Sequence, residues 1–238
     1  MKKYKFRFTI YVTLEMLKTF VGLFTIHKLH LVEKREEGED ITTFIFAPRR
    51  KFNYQAGQYG VWFIPRFILG KPARLFTIAA SPTEDTLQVS TRIRTTDFKK
   101  KLNSLPIGTA IYMIGPLGVF TLDKKPSKKV VLLAGGIGIT PMRSLARFVH
   151  DAKVDTTLTL IYSSSGYYLY QDELKHLIQD SHFVTRDSFA ETLEKVIKAS
   201  DDDTVYYLSG PPAFVVSTEK ILETHGVKHS KKDGFLGY

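Results

Sequence analysis

VVLLAGGIGITPMRSL, residues 130–145, decides how the rest of the chain is read. Val130 to Leu133 form a short apolar run with the character of a buried strand. Gly135, Gly136 and Gly138 then make a turn almost free of side chains, and a helix is expected to open at Thr140–Pro141. Proline suits a first helical turn, where the N–H it lacks would have no partner, and the threonine before it suits an N-cap. A strand, a bare turn and a helix N-terminus together aim backbone N–H groups and the positive end of a helix dipole at an anion. Gly135, Gly136, Gly138, Thr140 and Pro141 are therefore candidate pyrophosphate contacts. The spacing is not G-x-G-x-x-G, because Pro141 stands where the third glycine would be.

Working outward toward the C-terminus, strands alternate with helices. TTLTLIYS and TVYYLSG read as strands, and Gln171–Gln179, Ala190–Ala199 and Ala213–His225 as helices, the rhythm of an α/β domain. Toward the N-terminus the segments are short strands punctuated by turns at Ala56-Gly57, Ser81-Pro82, Pro106-Ile107-Gly108 and Gly115-Pro116. Such spacing predicts an antiparallel barrel. The composition changes around Lys124-Lys125-Pro126-Ser127. The expected organisation is an extension over 1–26, a barrel over 27–125 and an α/β domain over 126–238. In the extension, Ile10, Leu14, Leu17, Val21 and Phe24 form a helical stripe, while Glu15 and Lys18 break the apolar run. A membrane-spanning helix is not expected. Packing on the protein's own body is favoured over an interfacial helix at a membrane surface.

With 238 residues, 43% of them hydrophobic, the chain can build two real cores. It has no cysteine, which excludes disulfides, thiolate zinc sites and a built-in cysteine-ligated iron–sulfur cluster. That composition is compatible with a reducing, cytoplasmic setting. The seven histidines place no H-x-x-x-H pair within a helix, so no metal site is expected. A net charge of +10 favours an acidic partner. The lysine runs lack the arginine and aromatic interleaving of a nucleic-acid module.

Further motifs fall in a fixed order around the opening stretch: Arg74-Leu75-Phe76-Thr77, Arg92-Ile93-Arg94 running on to Leu102, Leu208-Ser209-Gly210-Pro211-Pro212, and the ending Asp233-Gly234-Phe235-Leu236-Gly237-Tyr238. Taken with AGGIGITP, they resemble the ferredoxin–NADP reductase family from about residue 27 onward. The resemblance implies a β-barrel that binds FAD, followed by a Rossmann-like parallel α/β domain that binds NAD(P). It implies that Arg74 pairs with the FAD pyrophosphate, Phe76 packs on the flavin ring and Thr77 hydrogen-bonds it. It also implies that Arg92, Ile93, Thr96 and Lys99 hold the second half of FAD. Thr96 and Lys99 stand where the family has glycine and a hydroxyl residue. Thr96 is expected to cap the helix that follows, and Lys99 to reach a phosphate. Gly57-Gln58-Tyr59 is expected to be scaffold. On the nicotinamide side, Gly210, Pro211 and Pro212 match a C-G-P-P motif in which Ser209 replaces the cysteine lining the hydride path. Tyr238 is implied to cover the flavin face. The strand ending at Ser163 carries no acidic residue to read ribose hydroxyls, and Arg186 follows the next strand, which together favour NADP(H) over NAD(H). The implied activity is hydride transfer from NAD(P)H to FAD and onward electron transfer to an external acceptor, an acidic ferredoxin or flavodoxin. A reductase component for an oxygenase, haem or quinone, and a flavin-bound regulatory subunit, are the alternatives.

Overall fold

A computed structural model describes residues 25–65, 72–94 and 96–234. The expected helix within 1–26, and Tyr238 with the residues just before it, lie outside the described residues, apart from Thr25 and Ile26. Ile26 already belongs to the first strand.

Six strands form an antiparallel sheet in the order β4-β3-β6-β1-β2-β5. They are β1 Ile26–Glu36, β2 Ile41–Pro48, β3 Tyr59–Phe63, β4 Ala73–Thr77, β5 Leu87–Arg92 and β6 Ala110–Leu117. The sheet curls into a half-barrel, and Ala79 N–H, just past β4, donates to Gln88 O on β5 at 2.8 Å across its open seam. Alternation along the strands sends Leu29, Leu31, Phe44, Phe46, Trp62, Val89, Ile111 and Met113 into one core. The helix α1, Asp97–Ser104, closes this core with Phe98 and Leu102.

A second, parallel sheet has the order β11-β10-β7-β8-β9. Its strands are β7 Lys129–Gly135, β8 Thr157–Ser163, β9 Asp180–Val184, β10 Val205–Gly210 and β11 Ser230–Gly234. Val130, Leu132 and Ala134 of β7 point to one face, where α2 (Ile139–Asp151) and α3 (Gln171–Leu177) pack. Val131 and Leu133 point to the other, against α4 (Arg186–Lys198) and α5 (Pro212–Thr224). A strand buried on both faces needs a continuous apolar run, which is why VVLLA has no alternation.

One expectation needs correction, and one strand was not foreseen. α4 begins at Arg186, earlier than Ala190, because Thr185 takes the N-cap position and Asp187 favours the first turn. Residues 230–234, which the sequence pattern does not mark as a strand, form β11 through backbone pairing with β10, from Tyr206↔Ser230 to Gly210↔Gly234.

The halves pack through the outer face of β2 and β5. Residues 41–46 are all buried. Phe44 and Phe46 face the barrel core, whereas Ile41 joins the core of the α/β half together with Ala56 and Phe120. Hydroxyls on this outer face link β2 and β5 to the α/β half. Thr43 Oγ1 and Ser90 Oγ lie 2.7 Å apart, and Ser90 Oγ hydrogen-bonds the hydroxyl of Tyr170. Burial pushes the Tyr170 phenol up to about 12, so it stays protonated as part of this chain of hydroxyls. The connection from β6 to β7, which contains Lys124–Ser127, is anchored as well. Thr121 O accepts from Tyr207 Oη at 3.0 Å and from Lys231 Nζ at 3.0 Å, and Lys231 also pairs with Asp123 at 2.8 Å.

Candidate functional site

In the parallel sheet the chain runs outward from β7 in both directions, to β8 on one side and β10 on the other. The crevice beyond the carboxyl ends of the strands at such a switch point is where ligands bind in open α/β sheets. Both glycine motifs end there. Gly135 is in register with Ser163, and Ala134 with Ser209.

The turn and the Ser209–Gly210 segment fit each other closely. A Cβ on Gly138 would lie 2.2 Å from Ser209 O, and one on Gly210 would lie 2.7 Å from the Phe214 ring. A Cβ on Gly135 would meet the same ring at 2.6 Å. These glycines are needed for close packing. Gly136 is different: its φ is +53° and a Cβ there would meet nothing within 4 Å. The turn is therefore open at Gly136, which leaves room for a phosphate against backbone N–H groups.

The helix start differs from the expectation. Gly136–Gly138 form a 3-10 turn, α2 begins at Ile139 and the cap position is Gly138. Thr140 is thus inside the first helical turn. Its hydroxyl donates back to Ile137 O at 3.1 Å, bracing the turn, and Pro141 is buried beside it. At β10, Pro212 opens α5 with Pro211 at the cap position. Ser209 is 0% exposed, and its Oγ is one of the few buried side-chain oxygens without a hydrogen-bond partner among the described residues. Asp233, its register partner on β11, has its carboxyl raised by burial. Ser163 is buried at the carboxyl end of β8, and Arg186 is exposed at the start of α4, just past β9.

On the barrel side, β4 carries Arg74 and Phe76 on one face, opposite Trp62 and Gly60 of β3. Phe76 is 9% exposed and its ring lies 6.0 Å from Phe98 of α1. The Arg74 guanidinium sits 5.8 Å from the same Phe98 ring and donates to Ala73 O at 2.9 Å. Thr77 is buried at the end of the strand. Lys99, in the first turn of α1, is only 8% exposed. Burial lowers its pKa first, and the neighbouring charges of Arg74 and Arg94 lower it further. Cations gathered this closely in a half-buried place suit a diphosphate. Thr96 occupies the N-cap of α1 as expected, yet makes no capping bond, because its backbone is placed without its hydroxyl turning to the helix. That hydroxyl is buried and has no partner among the described residues. The donor set of Arg74, Thr96 and Lys99, with the uncapped α1 terminus, fits the diphosphate of a dinucleotide. Arg92 has a different engagement: it binds Glu39 through Nη1 to the backbone O at 2.9 Å and Nη2 to Oε2 at 3.1 Å. Ile93 donates its N–H to Asp40 O at 2.7 Å and leans on the barrel core.

The two sides are neighbours. β5 lies against the Gly136–Gly138 turn. Ala79 and Ala80, which continue β4 beyond Thr77, bond to α2: Arg143 Nη1 donates to Ala79 O at 2.9 Å and Ser144 Oγ to Ala80 O at 2.7 Å. Gly57, with φ +90°, lets the Gly57-Gln58-Tyr59 turn pass under Phe120, where a Cβ would lie 2.0 Å from Phe120 O. Its N–H reaches Ser144 Oγ at 3.3 Å. Arg143 was not singled out by sequence reasoning. Its partners are 59 and 30 residues away in the chain, and no local pattern announces them.

A half-barrel packed against a doubly wound parallel sheet, with the β4 end and the glycine turn meeting at the junction, defines a two-part barrel-plus-α/β architecture. The comparisons agree. The chain superposes on a ferredoxin–NADP+ reductase from Neisseria gonorrhoeae with bound FAD and NADP, with TM-score 0.74 and 19% identity over 90% of this chain and 99% of that one. It is 25% identical over 218 residues to flavohemoprotein A of Dictyostelium discoideum, covering 79% of this chain and 54% of the relative. It is 29% identical over 160 residues to the reductase subunit of glycine betaine monooxygenase from Pseudomonas aeruginosa, covering 63% of this chain and 43% of the relative. The fold is of the two-domain ferredoxin–NADP reductase type, and in sequence the chain is similar to these relatives. It spans about half the length of the curated relatives it matches. No protein-family model matches it. Among the described residues, no helix is long and apolar enough to cross a membrane, and no group of His, Asp or Glu could hold a metal ion.

Proposed function

We propose that the protein is an FAD-dependent oxidoreductase that takes hydride from NAD(P)H and passes electrons to an external acceptor. One observation carries the reading: the end of β4 with Thr77 and the glycine turn with Gly136 flank the same junction, joined through Ala79 and Arg143. Arg74 lies three residues back from Thr77, about 10 Å along the strand, so Arg74 and Lys99 would hold the diphosphate of a bound FAD and Thr77 would hydrogen-bond toward its flavin end. When bound, the flavin supplies the hydride-accepting and electron-releasing chemistry.

The chain's own residues supply position and electrostatics. Arg74 and Lys99 neutralise the diphosphate, and Thr96 offers it a hydroxyl. Phe76 packs at the flavin end of β4, and Thr77 offers the hydrogen bond. Gly135, Gly136, Gly138 and the start of α2 with Thr140 and Pro141 cradle the nicotinamide dinucleotide. Ser209, Gly210, Pro211 and Pro212 form the wall beside its ring, and the hidden Ser209 hydroxyl is held in reserve for the carboxamide. Arg186 at the edge of the crevice and the unfilled acidic position after β8 favour the 2′-phosphate of NADP(H).

The basic surface favours an acidic carrier such as a ferredoxin or flavodoxin through steering. The names of the relatives support a second form of the same reading, in which the acceptor is an oxygenase component or a haem. The test is direct. The purified protein is mixed with FAD, freed of excess, and examined for a flavin spectrum. NADPH and NADH are then added without oxygen. Retained flavin bleached faster by NADPH is the expected result. A protein that takes up no FAD removes the reading, and one that keeps FAD but reacts with neither nicotinamide points to the regulatory alternative.

A further inference from the structure

We propose that Arg143 is a positioning residue for hydride transfer, gripping both halves at once so that the flavin end of β4 and the nicotinamide turn approach at one distance. The inference rests on the functional reading above. A guanidinium has five N–H donors, and all are used here. Nη1 donates to Ala79 O and Glu84 Oε2, each at 2.9 Å, and Nη2 to Glu84 Oε1 at 3.0 Å. Nε and Nη2 donate to the two carboxylate oxygens of Glu173, each at 2.8 Å. Ala79 and Glu84 belong to the barrel half, and Glu173 is on α3. The group is 4% exposed and lies 5.2 Å from the Tyr170 ring, whose hydroxyl continues to Ser90 and Thr43 of the barrel. Burial works against the charge, but Glu84 and Glu173 outweigh it and hold the guanidinium above its ordinary pKa.

A buried carboxylate–guanidinium–carboxylate group adds little net stability, since desolvation offsets most of the attraction. What it does supply is direction, because a planar fork with every donor engaged accepts one arrangement. The lever is short: Ala79 is two residues past Thr77, and Arg143 is five residues past Gly138. Hydride transfer needs reacting atoms within about 3–3.5 Å, and a shift of about 1 Å costs on the order of 10²-fold in rate. Arg143 stands where a small rotation of one half against the other would be converted into such a shift. It touches neither reacting ring.

The test uses the full chain loaded with FAD. Glu84→Gln weakens the grip across the junction and leaves the Arg143–Glu173 pair intact, and Arg143→Lys replaces the fork by a point charge. Four quantities are read: FAD affinity, nicotinamide affinity, the single-turnover rate of flavin reduction at saturating nicotinamide, and the long-wavelength charge-transfer absorption of the stacked rings. The expected result is a drop of about ten-fold or more in the saturated rate and a weakened charge-transfer band, with both affinities within about three-fold of the unaltered protein. The double variant is expected to be no slower than the slower single one, since the same link is broken twice. If Arg143→Lys fails to fold, Glu84→Gln carries the comparison alone. A saturated rate and charge-transfer band unchanged in Glu84→Gln overturn the proposal while leaving the functional reading in place. Failure of the unaltered protein to be reduced by either nicotinamide overturns the functional reading, and this proposal with it.

Discussion

Replacing Ser209 by alanine removes a hydroxyl that is fully buried and has no hydrogen-bond partner among the described residues. A buried polar group left without a partner costs about 1–3 kcal/mol. Alanine at 209 keeps the Cβ and gives up one oxygen, so the void it leaves is small. The balance is a gain of about 1 kcal/mol for the nucleotide-free protein, which for a chain of this size raises Tm by about 2–4 °C. Cysteine at 209 should behave similarly, because a thiol is content in an apolar site. The functional readout should move the other way. If the hydroxyl is reserved for the nicotinamide, its loss removes one neutral hydrogen bond, about 1 kcal/mol, and weakens nicotinamide binding about five-fold. The assay pairs thermal melting of the nucleotide-free protein with anaerobic nicotinamide titration of the FAD-loaded one. A lower Tm in Ser209→Ala would refute the reasoning, since it would mean the hydroxyl already has a partner that stabilises the fold.

Other outcomes follow from the same site. Gly138→Ala puts a methyl 2.2 Å from backbone at Ser209 and should lower stability by about 1–3 kcal/mol. Gly136→Ala meets no neighbour within 4 Å but holds φ at +53°; it should cost about 1 kcal/mol while weakening nicotinamide binding, as melting and titration together would report. Lys99→Met should weaken FAD binding and flatten its salt dependence. It should also remove a pH effect: the lysine is depressed in the folded protein, so the unfolded chain binds more protons between the folded pKa and the ordinary one. Nucleotide-free stability is therefore expected to rise with pH across that window in the unaltered protein and to stay flat there in the variant, as denaturant melts at stepped pH would show. Arg186→Ala should raise KM for NADPH and leave that for NADH unchanged; equal effects on both would remove the 2′-phosphate assignment.

What was legible in the sequence was whatever local pattern could carry. The β7–turn–α2 unit announced itself because a doubly buried strand must be apolar throughout and a sharp turn into a helix needs glycine and tolerates proline. The alternating barrel strands were readable for a similar reason, since each has one face on a core. The helix start at Ile139 was not, because a 3-10 turn takes up Gly136–Gly138 and makes Thr140 a brace within the helix. β11 was hidden because Ser230-Lys231-Lys232 has no apolar alternation; it is a strand only because β10 offers it an edge, with Lys231 stretched across Tyr207 at 5.3 Å to the linker. Arg92 looked like a cofactor contact by its neighbourhood in the chain, yet a turn at Glu39, remote in sequence, takes its guanidinium. Arg143 is the clearest case. Its meaning depends on Glu84 and Glu173 converging from two halves, which only the fold can arrange.

The central claim is that the two cradles meet closely enough for hydride to pass directly from one dinucleotide to the other. It is tested by a single anaerobic turnover of the FAD-loaded protein with NADPH carrying deuterium or hydrogen at the transferred position. The account expects the flavin absorption to bleach in one phase that is slower with deuterium. A protein that holds FAD firmly, yet shows no bleaching with either nicotinamide at any concentration, would contradict it.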